Sequence, residues 1–152
     1  MILIRKALPS DGKLISFFQE KLALETENIK LDPDVVKKGV DAVFSDHAKG
    51  CYYVAEIGGE LAGSLLTTYE WSDWRNGTML WIQSVYVLPE YRNKRVYTNL
   101  YMHIKQIVEG NPGLHGIRLY VDKTNGKAME VYSRLGMNSE HYQLFEWIKF
   151  RK

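Results

Sequence analysis

The chain has a single cysteine, Cys51, so it cannot close an intrachain disulfide. Cys51 lies in the strand-like run CYYVAEI and reads as a reduced thiol in or near the core. No Cys-His signature accompanies it. An excess of either charge is also missing: 20 basic against 18 acidic residues leave a net charge of +2. That balance argues against nucleic acid as a partner. No apolar run reaches the roughly 20 residues needed to span a bilayer, and residues 57–66 are broken by Gly and Glu. The opening MILIRKALPSD carries its charge after a very short apolar stretch, the wrong order for a secretory leader. The expectation is a cytoplasmic protein with no membrane partner. The four histidines show no metal-ligand spacing, and H-E-x-x-H, paired C-x-x-C, Walker and G-x-S-x-G motifs are all missing. No metal is expected. Without repeats, low-complexity tracts or linkers, residues 1–152 read as one domain.

What the chain does have is alternating strand and helix signals. Residues 2–8 read as a first strand closed by Pro9, and Ser10 and Asp11 are candidate caps for a helix to about Thr26. Asp32-Pro33 opens a second helix, since proline is pre-set for the first helical position. Residues 52–57 and 60–69 are strands about Gly58-Gly59, a hairpin signal. Residues 78–87 form a long apolar strand ended by Pro89. A helix covers 97–108, a short strand 117–121, and a helix from Thr124 or Asn125 runs to Gly136. Residues 142–150, YQLFEWIKF, read as a last strand. This order predicts an α/β fold: a mixed sheet covered by helices.

Pro89-Glu90-Tyr91-Arg92-Asn93-Lys94-Arg95-Val96-Tyr97 puts three cations within four residues, directly before a helix. The first N–H groups of a helix lack internal partners and sit at its positive end. Phosphate binding suits such a place. A solvated basic turn suits the same residues.

VYVLPEYRNKRVYTNLY resembles motif A of the GNAT N-acetyltransferases, R/Q-x-x-G-x-G/A after a strand ending V-x-V and a proline. Arg92 matches the first position. Arg95 stands where that motif has glycine, and Tyr97 where it has Gly/Ala. Downstream, NGKAMEVYSRLGM resembles motif B, with Asn125, Ala128, Tyr132 and Gly136 matching. The resemblance covers essentially the whole chain. It implies a GNAT-like, mostly antiparallel central sheet flanked by helices, with a splayed central strand pair. It also implies acetyl-CoA as cosubstrate. The backbone of Val85, Tyr86 and Val87 would pair with the pantetheine arm, and donors of Arg92, Asn93, Lys94, Arg95, Val96 and Tyr97 would hold the pyrophosphate. Asn125 and Tyr132 would complete the cofactor side. Arg95 resists positive φ, so the turn there must be helical-like or strained.

Acetyl transfer to an amine needs a neutral nucleophile. An amine of pKa about 10.4 is neutral in roughly one molecule in a few thousand at pH 7. A base therefore has to assist. The resemblance places Tyr132 near the CoA sulfur, as the acid that protonates the leaving thiolate; its place on an apolar helix face also suits a core tyrosine. The N–H of Val85 or Val87 would polarise the thioester. Many family members have Glu where this chain has Gln83, which takes no proton at neutral pH; Gln83 is kept as a substrate contact. YEWSDWRNG supplies Glu70 as first choice of base and Asp73 as second, with water near Ser84 third. Trp71 and Trp74 would pack on a cationic acceptor. The same segment also suits a hairpin whose tryptophans cover the core edge.

The leading expectation is an acetyl-CoA-dependent N-acetyltransferase acting on a small-molecule or peptide amine by direct transfer in a ternary complex. Arg95, Tyr97 and Gln83 keep open a non-catalytic CoA-binding module. A homodimer is compatible with the aromatic C-terminal run. The acceptor itself is not legible.

Overall fold

The computed structural model describes residues 1–150. Its strands are β1 (Ile2–Lys6), β2 (Cys51–Ile57), β3 (Glu60–Ser72), β4 (Gly77–Val87) and β5 (Leu114–Arg118). Its helices are α1 (Gly12–Glu27), α2 (Pro33–Ser45), α3 (Val96–Glu109) and α4 (Gly126–Arg134). The chain divides into two compact units, one spanning Met1–Leu119 and one beginning at Tyr120.

The first unit holds a five-stranded sheet in the order β1-β2-β3-β4-β5. The first four strands pair antiparallel and β5 runs parallel to β4. This is the mixed, mostly antiparallel sheet expected. Hairpins explain the β2–β3 and β3–β4 pairs, with Gly58 and Gly59, at φ 60° and 84°, making the tight β2–β3 turn, whereas β1 and β2 are joined through α1 and α2. The parallel pair needs a crossover, which α3 supplies.

Alternation along β2 assigns the two sheet faces. Tyr52 and Val54 join Ile15, Val40 and Val43 in a core against α1 and α2. Tyr53, between them, points the other way and its ring meets His103 of α3 at 5.6 Å. The sheet is thus covered on both faces, and Phe18, Ile15, Leu65, Leu100 and Ile104 are fully buried.

Helix starts follow local chemistry in one case and tertiary chemistry in another. Asp32 caps α2 by accepting from the Asp34 N–H at 2.9 Å, with Pro33 next. Asp11, one of the two expected caps of α1, makes no side-chain cap bond to that helix. Its carboxylate accepts from the Leu8 N–H and from Arg5, which also binds Glu56 across the sheet. The Arg5 guanidinium meets both Asp11 carboxylate oxygens, a bidentate charge-assisted pair, and this holds the side chain away from the start of α1.

The second unit contains α4. Asn125 Oδ1 accepts from the Ala128 N–H at 3.0 Å, an N-cap. Gly136, at φ 90°, ends the helix; its N–H donates to Ser133 and the Met137 N–H donates to Tyr132. That is a Schellman closure, which glycine serves best.

Two strand expectations change. The strand expected at 117–121 is β5 at Leu114–Arg118, so it starts earlier and stops before the β-prone Leu119-Tyr120-Val121. Residues 142–150 form no strand, and every residue from 138 to 150 is exposed. A strand exists only where a ladder partner does.

Candidate active site

The site is built where β4 outruns β5. The two strands pair only from Thr78 to Trp81, opposite Leu114 to Arg118. β4 then continues to Val87 with β3 on its other side. From Ile82 onward, the edge of β4 that faces β5 has no ladder partner among the described residues. This is the splayed strand pair. It exposes backbone donors and acceptors to any extended ligand that could act as a further strand.

A bulge re-aims the residues along this edge. Leu66 pairs with Gln83 and Ser64 with Tyr86, so two residues of β4 stand against one of β3. Ser84 takes the left-handed conformation there, at φ 54°. Such bulges bend a strand and redirect its side chains. Without it, Gln83 and Tyr86 would lie on opposite faces; with it, both face α1 and α2. Gln83 Nε2 donates to Thr68 Oγ1 at 2.6 Å.

Beyond Val87 the chain makes a short turn at Pro89–Tyr91 and enters α3. Asn93 and Arg95 are left-handed, at φ 63° and 65°. Arg95 is the N-cap residue of α3 and no side chain caps its first N–H groups. Of the two outcomes expected at Arg95, the structure takes the strained one: the arginine adopts a backbone shape that glycine holds freely.

Three cations of the turn have different settings. Arg92 is tied down. Its Nε donates to the Val87 carbonyl at 2.9 Å, its Nη2 to Glu25 of α1 at 2.7 Å, and its guanidinium lies 5.4 Å from the Tyr86 ring centre. The Tyr86 hydroxyl donates to the same Glu25 carboxylate. These donors hold the Glu25 carboxyl below the usual range, Tyr86 first and Arg92 second. Burial, then the Glu25 carboxylate, pushes the Tyr86 phenol up to about 12. Lys94 lies over the Tyr91 ring at 5.8 Å, and Lys94 and Arg95 are both exposed. Val96 is buried and Tyr97 half-buried, so Tyr97 packs on α3, its ring 6.4 Å from that of Tyr101.

On β3, the structure divides the acidic and aromatic set expected at one place. Glu70 shares a face with Trp81, and its Oε1 accepts from Trp81 Nε1 at 3.2 Å and from Arg118. Trp81 and Arg118 are the last paired residues before β4 and β5 part, so Glu70 sits at the mouth of the splay. Trp71 follows Glu70 in the same strand and therefore points to the opposite face. Asp73 and Trp74 lie beyond the strand end in the hairpin turn, both exposed. Glu70 is brought to the splay; Trp71, Asp73 and Trp74 are not gathered with it. Asn125 and Tyr132 belong to the second unit, where Asn125 caps α4 and Tyr132 lies in its last turns.

Three contributors carried no sequence signal: Glu25, Arg118 and Trp81 are polar partners distant along the chain. Ser84, singled out only for a nearby water, takes a glycine-like conformation without being glycine.

A five-stranded sheet whose fourth strand outruns its parallel neighbour, ending in a glycine-shaped turn at a helix N-terminus, defines an acetyltransferase fold. Comparison with known proteins agrees. Residues 15–137 match the acetyltransferase (GNAT) family, and the chain belongs to that family. It is 28% identical to the mouse thialysine N-epsilon-acetyltransferase over 159 residues, covering 97% of this chain and 90% of that protein. Among solved structures it is similar to a possible acetyltransferase from Clostridium difficile 630, with 42% identity, 99% of each chain covered and a TM-score of 0.91. A predicted acetyltransferase from Clostridium acetobutylicum, solved with acetyl-CoA, shares the fold at 16% identity, 96% coverage of each chain and a TM-score of 0.75.

Proposed function

We propose that this protein transfers the acetyl group of acetyl-CoA to a primary amine, directly, with both substrates bound at once. The observation that carries this reading is the unpaired β4 edge from Ile82 to Val87, which runs straight into the Arg92–Tyr97 turn. An open strand edge suits the amide-rich pantetheine arm, and an uncapped helix start suits a diphosphate. The left-handed backbone at Asn93 and Arg95 supports the same use, because it gives the turn the shape that glycine gives elsewhere in the family. Val85, Tyr86 and Val87 would hold the arm. The N–H groups of Arg95, Val96 and Tyr97 would hold the phosphates, within the positive field of Lys94 and Arg95.

Acetyl-CoA supplies an activated acyl group on sulfur. The protein's part is to hold it, to free the amine of its proton, and to return a proton to the leaving sulfur. The amine nitrogen bonds to the acetyl carbon as the carbon–sulfur bond breaks, and the sulfur keeps the electron pair. Removing the amine proton at neutral pH costs about 4–5 kcal/mol without assistance. Glu70 is our proton acceptor, directly or through water. Both of its donors meet at Oε1, and among the described residues Oε2 takes no hydrogen bond. Asp73 is second choice, and water near Ser84 the third. Tyr132 is the proposed donor to sulfur, and the N–H of Val85 or Val87 the polariser of the carbonyl. Gln83 is held by Thr68 and acts as a substrate contact rather than a base.

The acceptor class we favour is a small primary amine. The mouse relative is named for thialysine, and a glucosamine-6-phosphate N-acetyltransferase of Arabidopsis thaliana shares the fold with a TM-score of 0.67 at 21% identity. The test is release of free CoA thiol with a panel of amines: thialysine, lysine, polyamines, amino sugars and a lysine peptide. Turnover with one of them is expected. No acetyl-CoA binding at millimolar concentration would end the proposal. Tight binding with no amine acetylated would favour a CoA-binding module without catalysis, to which Arg95, Tyr97 and Gln83 still point.

A further inference from the structure

We propose that the acceptor is a zwitterion, with a carboxylate at the far end from its reacting amine as in lysine, and that Arg118 binds that carboxylate. The inference rests on the acetyl-transfer reading and narrows its acceptor. Strand register places the groups. Thr68, Trp81 and Arg118 are paired in one row across β3, β4 and β5, so their side chains share a face. Glu70 joins them there through its bonds to Trp81 and Arg118. Gln83, two residues along β4 from Trp81, lies on the same face with its amide fixed by Thr68. Toward the open edge of β4, the face therefore carries an ion pair, an indole and a neutral amide.

The ion pair sets what this face accepts. A site for a polyamine would present acids in excess. Here Arg118 matches Glu70 one for one, and Asp73, the next acid along the hairpin, lies beyond the strand end. Glu25, near the other end of β4, is paired with Arg92. A balanced pair suits a molecule that itself carries both signs. Solvent reaches both partners: the side chains of Arg118 and Glu70 are 26% and 42% exposed. A guanidinium presents its N–H donors in a planar fork that can hold two carboxylates at once. Arg5 of this chain does so, with Asp11 and Glu56. Arg118 does likewise once the acceptor binds, keeping Glu70 and adding the acceptor's carboxylate.

The spacing also fits. From the row of Trp81 and Arg118 to Gln83 is a step of about 7 Å along the strand. The side-chain amine and the carboxylate of lysine also stand about 7 Å apart when the chain is extended. With the carboxylate on Arg118, the methylene stem runs along Trp81 and the amine comes to Gln83, where the unpaired β4 edge begins. A polyamine would set an ammonium against Arg118, and a neutral amino sugar would leave the guanidinium without its second anion.

The test is a ratio. Lysine and lysinamide differ only at the carboxylate, and so do 6-aminohexanoate and its amide. Acetylation of each is followed by release of CoA thiol, and binding of each to the CoA-loaded protein by titration calorimetry. The carboxylate form is expected to lead by about 10–150-fold, the range of a charge-assisted contact. Arg118→Gln should bring that ratio to within about threefold of one, and Arg118→Lys should keep part of it. A role for Arg118 confined to holding Glu70 or the sheet would lower both members of a pair together and leave the ratio unchanged; that result overturns the proposal. So does lysinamide or cadaverine that matches lysine in the wild type, and so does a failure of both carboxylates to bind. If no amine reacts, yet the ratio appears in binding and collapses in Arg118→Gln, acetyl transfer falls and the carboxylate site stands.

Discussion

Arg95→Gly tests the turn most directly. Arg95 sits at φ 65°, ψ 24° as the first residue before α3. A side-chain-bearing residue in this region costs about 1–2 kcal/mol relative to right-handed backbone. Glycine removes that cost but brings extra freedom to the unfolded chain, worth about 0.5–1 kcal/mol. The net gain in stability is therefore roughly 0–1.5 kcal/mol, a rise in Tm of up to about 6 °C for a chain of this size. Arg95→Ala is the control. It loses the same guanidinium but keeps the left-handed strain, so the glycine variant should melt as high as the alanine variant or up to about 6 °C above it. A glycine variant that melts below the alanine variant, by calorimetry under one buffer, would refute the backbone argument.

The same pair of variants reports on the ligand. The Arg95 side chain is exposed, and an exposed charge contributes about 0–1 kcal/mol to a contact. Both variants should then bind acetyl-CoA within about fivefold of wild type by titration calorimetry. A guanidinium bonded directly to phosphate is worth about 1.5–3 kcal/mol, or roughly 10–150-fold in Kd. A loss of that size in both variants would make Arg95 a phosphate ligand and refute the assignment of the main contact to backbone N–H groups.

Other residues carry further expectations. Glu25→Gln removes the charge that ties Arg92 to α1; acetyl-CoA affinity should fall about 3–30-fold with kcat little changed, read from steady-state kinetics. Asn125→Ala deletes the α4 cap and should cost about 1 kcal/mol in urea unfolding; acetyl-CoA affinity falling by the same proportion in Asn125→Ser, which restores a cap, would show a cofactor role as well. Arg5 holds the Asp11 carboxyl below its usual range against the opposing effect of burial. That stability is present above the ordinary aspartate pKa and lost as pH falls through the depressed one, so the wild-type Tm should drop more steeply than that of Asp11→Asn from about pH 4 downward. Tyr132→Phe should reduce kcat about a hundredfold if the phenol protonates the leaving sulfur, with the alkaline limb of the pH profile moved.

Local signals were legible and distant ones were not. Asp32-Pro33 and Gly58-Gly59 announce a helix start and a hairpin because the physics spans a few residues. Asp11 looked like a cap for the same reason, but Arg5 and Glu56 claim the neighbourhood, and Glu56 is 51 positions from Arg5. Glu25 joins Tyr86 and Arg92 across 61 and 67 positions. No periodicity or spacing could report that. The bulge at Ser84 was invisible because a serine there looks like any other strand residue. The last expected strand fails for another reason: β-propensity describes what a segment can do beside a neighbour, and the neighbour is not a property of the segment.

The placement of the site residues also separates the family signature into two kinds of information. Asn125 and Gly136 are helix punctuation, a cap and a left-handed stop. Arg92, the first residue of the basic motif, spends its bonds on Val87, Glu25 and the Tyr86 ring. It fixes the strand end to the turn and to α1. Much of the signature therefore encodes shape, and shape survives substitution where backbone can be forced. That is why arginine can stand at the glycine position of the turn without erasing it: the cost, about 1–2 kcal/mol, is within what the surrounding packing of Val96, Leu100 and Ile104 can hold. Chemistry is less forgiving. If transfer depends on Glu70, no change of shape replaces its carboxylate, and Glu70→Gln should lose turnover while acetyl-CoA still binds.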